Sequence, residues 1–219
     1  MNIHMTKDIN EEKEIAGKDS LRAQKLLILK GGKDMLTGKN VNLRLIHEED
    51  LPELLALMNN LHQRGDYLGI ELHHETKIQK YYTEAGFWEK DFGRMLIADK
   101  SGRMLGAITF FKGVGDSEGY EIGLQIYREE DRRKGHATEA LRLFCSYLFE
   151  LKPIQRLQIC TVKENAAARR IAEKCGFVLE GTMRKAFFAR GKYHDLDFLS
   201  MMREECPPLS EVLVTEVVS

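Results

Sequence analysis

No run of apolar residues in the sequence approaches the roughly 20 needed to cross a bilayer, and the N-terminus is charged where a secretory signal requires an apolar stretch. The expected location is therefore the cytoplasm, with no membrane partner. Charge of one sign is also missing. Lys+Arg 33 against Asp+Glu 34 leaves a net charge of −1, which gives no basis for a polyanionic partner such as nucleic acid. Cysteine is sparse: Cys145, Cys160, Cys175 and Cys206 form no CxxC pair, so they read as reduced thiols and not as a disulfide framework. Metal ligands are equally unpromising. His62, His73, His74, His136 and His194 are not completed by carboxylates at ligand spacing, and no metal is expected.

What is present is an α/β pattern. Residues 1–37 are polar and charged around a short amphipathic piece, Leu21 to Leu29. They read as a flexible or partly helical extension, with Met5 and Met35 as alternative starts. A folded domain is expected over 38–205, and a loose tail over 206–219. Val41, Leu43 and Leu45 alternate as in a half-buried strand. Leu51, Leu54, Leu55 and Met58 fall on one helical face, after acidic Glu48–Asp50. A second helix is predicted from His74 to Ala85, stopped by Gly86. Strands follow at Arg94–Asp99, Met104–Phe111 and Gly119–Tyr127, the first two joined by the Lys100–Arg103 turn. Then come a helix carrying Ala137 to Leu148, a strand at Leu157–Thr161, a helix capped by Asn165 and stopped by Gly176, and two long strands turning at Arg190-Gly191-Lys192. The order β-α-α-β-β-β-α-β-α-β-β describes a mixed sheet in which the strand ending at Tyr127 runs parallel to the next one.

The most informative stretch is Arg132-Arg133-Lys134-Gly135-His136-Ala137-Thr138-Glu139-Ala140. A strand end, a basic loop centred on glycine and an immediate helix start aim free backbone N–H groups and a positive helix end at one point, which suits a pyrophosphate. A solvated basic turn is the bland alternative. The spacing is neither GxxxxGK[ST] nor GxGxxG, so two common nucleotide loops are excluded.

Arg132-x-x-Gly135-x-Ala137 resembles the Q/R-x-x-G-x-G/A coenzyme A loop of the GNAT superfamily of N-acetyltransferases. "EIGLQIY" before it, "NAAARRIAEKCGF" after it and "LEGTMRKAFFARGKYHDLDFLSMM" beyond are similar to the RimJ/RimL-like branch and to polyamine acetyltransferases. The resemblance implies a mostly antiparallel twisted sheet flanked by helices, with a V-shaped splay between two parallel central strands. It also implies acetyl-CoA as cosubstrate. Arg132, Arg133, Lys134, Gly135, His136, Ala137 and Thr138 would hold its pyrophosphate. Gln125, Ile126 and Tyr127 would pair with the pantetheine arm, and Asn165 would contact the arm as well as cap its helix. A homodimer is a further expectation from family analogy.

The implied reaction is direct attack of a neutral amine on the thioester. An amine of pKa near 10 is only about 0.1–1% neutral at physiological pH, so a base matters. Glu121, fourteen residues before Gly135, stands at the spacing where histone-acetylating members carry a catalytic Glu; a salt-bridged strand carboxylate is the alternative. The acid is missing from its usual places, since Ala168 and Ala172 stand where relatives carry Ser or Tyr. Tyr193 is the candidate substitute, against a packing role in the hairpin. Cys160 reads as a structural thiol, and Phe87, Trp88 and Phe92 as either core or acceptor-pocket residues. Three functions are compatible with this pattern: acetylation of a protein N-terminus, acetylation of a small molecule (polyamine, amino sugar or antibiotic), or a non-catalytic acetyl-CoA sensor. The acidic residues Glu71, Glu75, Glu84, Glu89 and Asp91 interleave with Lys77, Lys80 and Lys90, which does not single out a polyamine.

Overall fold

The computed structural model describes residues 35–113 and 119–214. The expected extension, apart from its last residues Met35–Thr37, lies outside the described residues, as do 215–219. The described chain forms an eight-stranded sheet in the order β1-β2-β3-β4-β5-β6-β8-β7. Its strands are β1 (Met35–Thr37), β2 (Val41–Arg44), β3 (Phe92–Asp99), β4 (Met104–Lys112), β5 (Gly119–Ile126), β6 (Arg156–Val162), β7 (Val178–Ala189) and β8 (Lys192–Met202). From β2 to β7 along the sheet the pairs are antiparallel except for β5 with β6, which are parallel and joined by helix α3 (His136–Leu151). A parallel neighbour needs such a crossover, because a tight turn reverses the chain.

Two apolar layers sandwich the sheet. On one face Leu141, Phe144 and Leu148 of α3 pack against Leu43, Ile97, Ile108, Ile122 and Leu157, all at most 3% exposed. Each such side chain contributes about 1.5–3 kcal/mol through burial. On the other face α1 (Leu51–Asn59) and α2 (Glu75–Ala85) bury Leu54, Met58 and Ile78 against Leu96, Ala107 and Tyr127. Phe87 and Phe92 belong to this second layer, and Trp88 stacks edge-on against Phe110 at 5.3 Å. This aromatic group is thus core. The caps follow the sequence: His74 Nδ1 accepts from Thr76 N–H at 3.2 Å, and Gly86 ends α2 in the left-handed conformation.

The structure differs from the sequence reading at both ends of the domain. Met35–Thr37 adds an eighth strand beside β2. The residues from Pro207, expected to be loose, carry a short helix, α5 (Leu209–Val212). Through Val214 they are tied down: Ser146 Oγ donates to Pro207 O at 2.8 Å, and Val214 N–H donates to Thr37 O at 2.9 Å. Val212 and Leu213 join the α3 layer. The reason is burial: two apolar side chains too few to show a period still cover the exposed flank of that layer.

Candidate active site

The parallel pair is short by design of its register. Gly119, Tyr120 and Glu121 of β5 face Arg156, Leu157 and Gln158 of β6. Beyond Glu121, β5 keeps its β4 partners as far as Ile126, and beyond Gln158, β6 keeps its β8 partners as far as Val162. The two strands therefore part after Glu121, and the expected V-shaped splay is present. From Ile122 its β5 edge has no β6 partner, up to the Ile126 carbonyl that Arg132 occupies, and such an edge can be joined by an extended ligand as an added strand. Gln125 and Ile126 lie on that edge and Tyr127 follows it; the Tyr127 side chain is buried in the α1–α2 layer.

Glu121 stands at the apex. Tyr120, Ile122 and Ile126 point into the α3 layer, so strand alternation puts Glu121 on the opposite face. There the Gln158 amide, 3% exposed, donates from Nε2 to Glu121 Oε2 at 3.3 Å. Gly113 makes room for that amide, since a Cβ there would lie 2.3 Å from Gln158 Nε2. Cys160 is the next residue on the same face of β6. Burial, then the neighbouring Glu121 carboxylate, push its thiol up to about 12, so it is protonated and unreactive at neutral pH. Intact-mass labelling with iodoacetamide at pH 7.5 is expected to leave Cys160 unmodified, and faster labelling in Glu121→Gln would report the loss of the neighbouring charge.

At the far end of β5 the chain makes a single 3-10 turn (Glu129–Asp131) and then the basic loop. Asp131, 2% exposed, anchors this corner: Arg103 donates to it bidentately at 2.9 and 2.7 Å. That hydrogen-bonded guanidinium holds the Asp131 carboxyl below its ordinary value of 3.8. The pair's contribution is complete above the unfolded carboxyl's pKa and is lost as pH falls through the lower folded value. Asp131→Ala is expected to cost about 2 kcal/mol in chemical denaturation at pH 7, with the difference shrinking as pH falls below 3.8 toward the lower folded value.

The loop itself turns on two left-handed residues, Arg133 (φ 61) and Gly135 (φ 85). Helix α3 starts at His136 with Gly135 as N-cap and no side-chain cap. Glu139 N–H is satisfied by Gly135 O at 3.1 Å. Among the described residues, none accepts from the main-chain N–H of Arg133, Lys134, Gly135, His136, Ala137 or Thr138, the free donors expected at a helix start. A Cβ on Gly135 would meet nothing within 4 Å, so the protein does not crowd the loop at its central glycine. His136 turns its Nδ1 back to Asp131 O at 3.2 Å. The Arg132 side chain is used within the protein: it donates to Ile126 O at 3.2 Å, to Tyr127 O at 2.9 Å and to Gln63 O. Its contribution here is to shape the loop; Arg133 and Lys134 are exposed, and Lys134 Nζ lies 3.9 Å from Asp131 Oδ1. Asn165 caps helix α4 (Ala166–Lys174) by accepting from Ala168 N–H at 3.2 Å. Ala172 is fully buried in the α3 layer.

The pattern that defines the family described as "Acetyltransferase (GNAT) domain" matches residues 40–178. The chain belongs to this family. It is accordingly an acetyltransferase-family enzyme. Among curated relatives, YokL of Bacillus subtilis (strain 168), an uncharacterized N-acetyltransferase from the SPbeta prophage, is 27% identical over 176 residues, covering 77% of this chain and 93% of its own. YdaF of the same organism, a ribosomal N-acetyltransferase by name, is 26% identical over 174 residues, covering 76% and 93%. Among solved structures, spermidine N-acetyltransferase from Vibrio cholerae in complex with CoA and spermine superposes with a TM-score of 0.65 at 20% identity, covering 76% of this chain and 97% of that one. At that identity the likeness is one of fold.

The site residues divide by position. Glu121 and the loop 132–138 flank the same splay. Tyr193 sits near the β7–β8 turn, 60% exposed and edge-on to Phe188 at 5.0 Å; among the described residues nothing bonds it to Glu121. Arg103, Asp131 and Gln158 were not singled out from sequence, because their roles arise from contacts 28 to 37 positions away. Among the described residues no group of His, Cys, Asp and Glu is arranged to hold a metal, and no described helix is long and apolar enough to cross a membrane.

Proposed function

We propose that the enzyme transfers the acetyl group of acetyl-CoA to the α-amine of a peptide or protein. The fit of the cosubstrate rests on the loop before α3, which combines six main-chain N–H groups that no described residue accepts from, the exposed Arg133 and Lys134, and a positive helix end. The β5 edge beyond Ile122, up to the Ile126 carbonyl held by Arg132, would hold the arm and orient it toward the apex. Acetyl-CoA supplies a thioester, an acyl carbon already activated toward amines. A main-chain N–H of the open edge would hold the carbonyl oxygen as charge builds on it.

The rest of the chemistry falls to this chain's own residues. Glu121 Oε1, opposite the oxygen bonded by Gln158, takes the proton from the acceptor ammonium. The neutral nitrogen then forms the new N–C bond as the C–S bond breaks, and the sulfur leaves with the bonding pair. Ala168 and Ala172 have no proton to give, so water protonates the departing thiolate. Tyr193, on a different stretch of the sheet, is the alternative donor; loss of turnover with unchanged cofactor affinity in Tyr193→Phe would assign it that step.

What favours an α-amine over a polyamine is the exposed charge of the β7–β8 hairpin, where Arg184, Lys185, Arg190 and Lys192 outnumber Glu180; the tip residue Arg190 reaches the segment bordering the site. An acceptor approaching along this hairpin would be repelled if polycationic and attracted if it carried acidic residues. An α-amine also titrates near 8, about two units below a lysine-type amine, and reaches its neutral form more readily. A panel of peptides, spermidine and an aminoglycoside, with acetylation read by mass, tests the reading. Acetylation of peptide α-amines ahead of spermidine supports it; exclusive turnover of spermidine overturns it.

A further inference from the structure

Between α1 and α2 lies the segment Asn60–His74, which sequence periodicity leaves unexplained. It is closed at its base, where Asn59 Nδ2 donates to His73 O and His73 N–H donates to Asn59 Oδ1, both at 2.8 Å. It is braced inside by Arg64, which donates to Gly69 O at 2.7 Å, to Glu71 O at 2.8 Å and to His73 Nε2 at 3.1 Å. Because a guanidinium only donates, His73 Nε2 must accept, which requires the neutral imidazole. Five residues of this braced loop, Leu61–Gly65, are held from two sides. From the β5 side, Arg132 donates to Gln63 O. From the β7–β8 side, Arg190 Nη2 donates to Gly65 O at 2.8 Å and, more weakly, to Leu61 O at 3.5 Å.

These contacts complete a ring. It runs from the apex at Glu121 along β5 to Arg132, across Leu61–Gly65 to Arg190, and back through the hairpin and β6 to Gln158. The strands that part after Glu121 are thus rejoined at their open end through Leu61–Gly65, a strap whose central carbonyl is held by Arg132 and whose two end carbonyls are held by Arg190. We infer that Arg190 is a positioning residue for acceptor specificity: it pins Leu61–Gly65 across the mouth of the splay, so that an amine reaches Glu121 only through a bounded opening. Such an opening admits a peptide whose first residue is small and hinders one that begins with a large side chain. It also limits the water that reaches the reacting carbon. The inference rests on the acyl-transfer reading above and adds the size of the acceptor's first residue to it.

Two readouts on the full chain test it. The first is acceptor-free hydrolysis of acetyl-CoA, in which water attacks the acyl carbon, the C–S bond breaks, and acetate and free coenzyme A thiol are released. The second is the ratio of kcat/KM for hexapeptides beginning with Ser and with Phe. Arg190→Ala is expected to raise hydrolysis about fivefold and to reduce the Ser/Phe preference roughly tenfold, the range a size-limited pocket supplies. The KM for acetyl-CoA should stay within about twofold, because the variant leaves the loop before α3 untouched. Arg190→Lys, which keeps the charge but not the planar guanidinium whose Nη2 meets both carbonyls, should fall between. A purely structural role would lower thermal stability and both peptide rates together, without changing their ratio. Unchanged hydrolysis and an unchanged ratio in a normally melting Arg190→Ala would overturn the inference. Should the unaltered chain acetylate neither peptide, the α-amine reading falls, and hydrolysis alone still decides whether the strap closes the mouth.

Discussion

Glu121→Gln is expected to lower kcat roughly 100- to 1,000-fold, the usual worth of a positioned general base. The substitution is close to isosteric, and the new amide carbonyl still accepts from Gln158 Nε2, so the apex keeps its 3.3 Å contact. What it removes is the capacity to take a proton from the acceptor ammonium. The affinity for acetyl-CoA should be unchanged, because the loop before α3 lies at the other end of β5. Activity of the variant should recover partly at high pH, where the amine is neutral without help. Turnover within about threefold of the unaltered enzyme across the pH range would remove Glu121 from the mechanism.

The second large effect is expected at Gly135. Its φ of 85 lies in the left-handed region, where a β-branched residue is strongly disfavoured. Space is not the obstacle, since a Cβ there meets no protein atom within 4 Å; the cost falls on the loop conformation that presents the free N–H groups. Gly135→Val is therefore expected to act on ligand affinity more than on folding. Losing two or three hydrogen bonds to a charged group, each worth about 1.5–3 kcal/mol, weakens coenzyme A binding about 100-fold or more. Isothermal titration with coenzyme A measures this directly, and the melting temperature provides the control. Unaltered affinity in a folded Gly135→Val would place the pyrophosphate elsewhere. Gly135→Ala, smaller but equally strained in φ, should give an intermediate loss.

Much of the fold was legible because its signals are local. Period-two alternation at Val41–Leu45, the helical stripe through Leu141, Phe144 and Leu148, the Asn165 cap and the Gly86 and Gly176 stops each depend on residues within a few positions of one another. The loop before α3 was legible for the same reason: strand end, glycine and helix start are contiguous. The eighth strand, Met35–Thr37, was not, because three residues carry no period and it forms only by joining β2. The docked end, Leu209 to Val214, was missed because its stability comes from partners such as Thr37 and Ser146, more than 60 positions away.

The candidate site divides along the same line. Glu121 was named from its spacing to Gly135, yet the amide that fixes its carboxylate comes from β6 and is invisible in spacing. Arg132 was expected at the cofactor, and its guanidinium is instead used on the carbonyls of Ile126, Tyr127 and Gln63. No local pattern announces that Gln63 will lie within its reach, 69 residues away.

By itself the sequence determined the alternation of strands and helices, the parallel crossover through α3 and the glycine-centred loop, since each is written in short-range periodicity and backbone permissiveness. Only the tertiary structure decided where β5 and β6 part, which amide holds Glu121, and how Leu61–Gly65 comes to span the mouth between Arg132 and Arg190. Those features are made by side chains meeting main-chain groups far along the chain, and such meetings are fixed by packing the two layers on the sheet, not by any order of neighbouring residues.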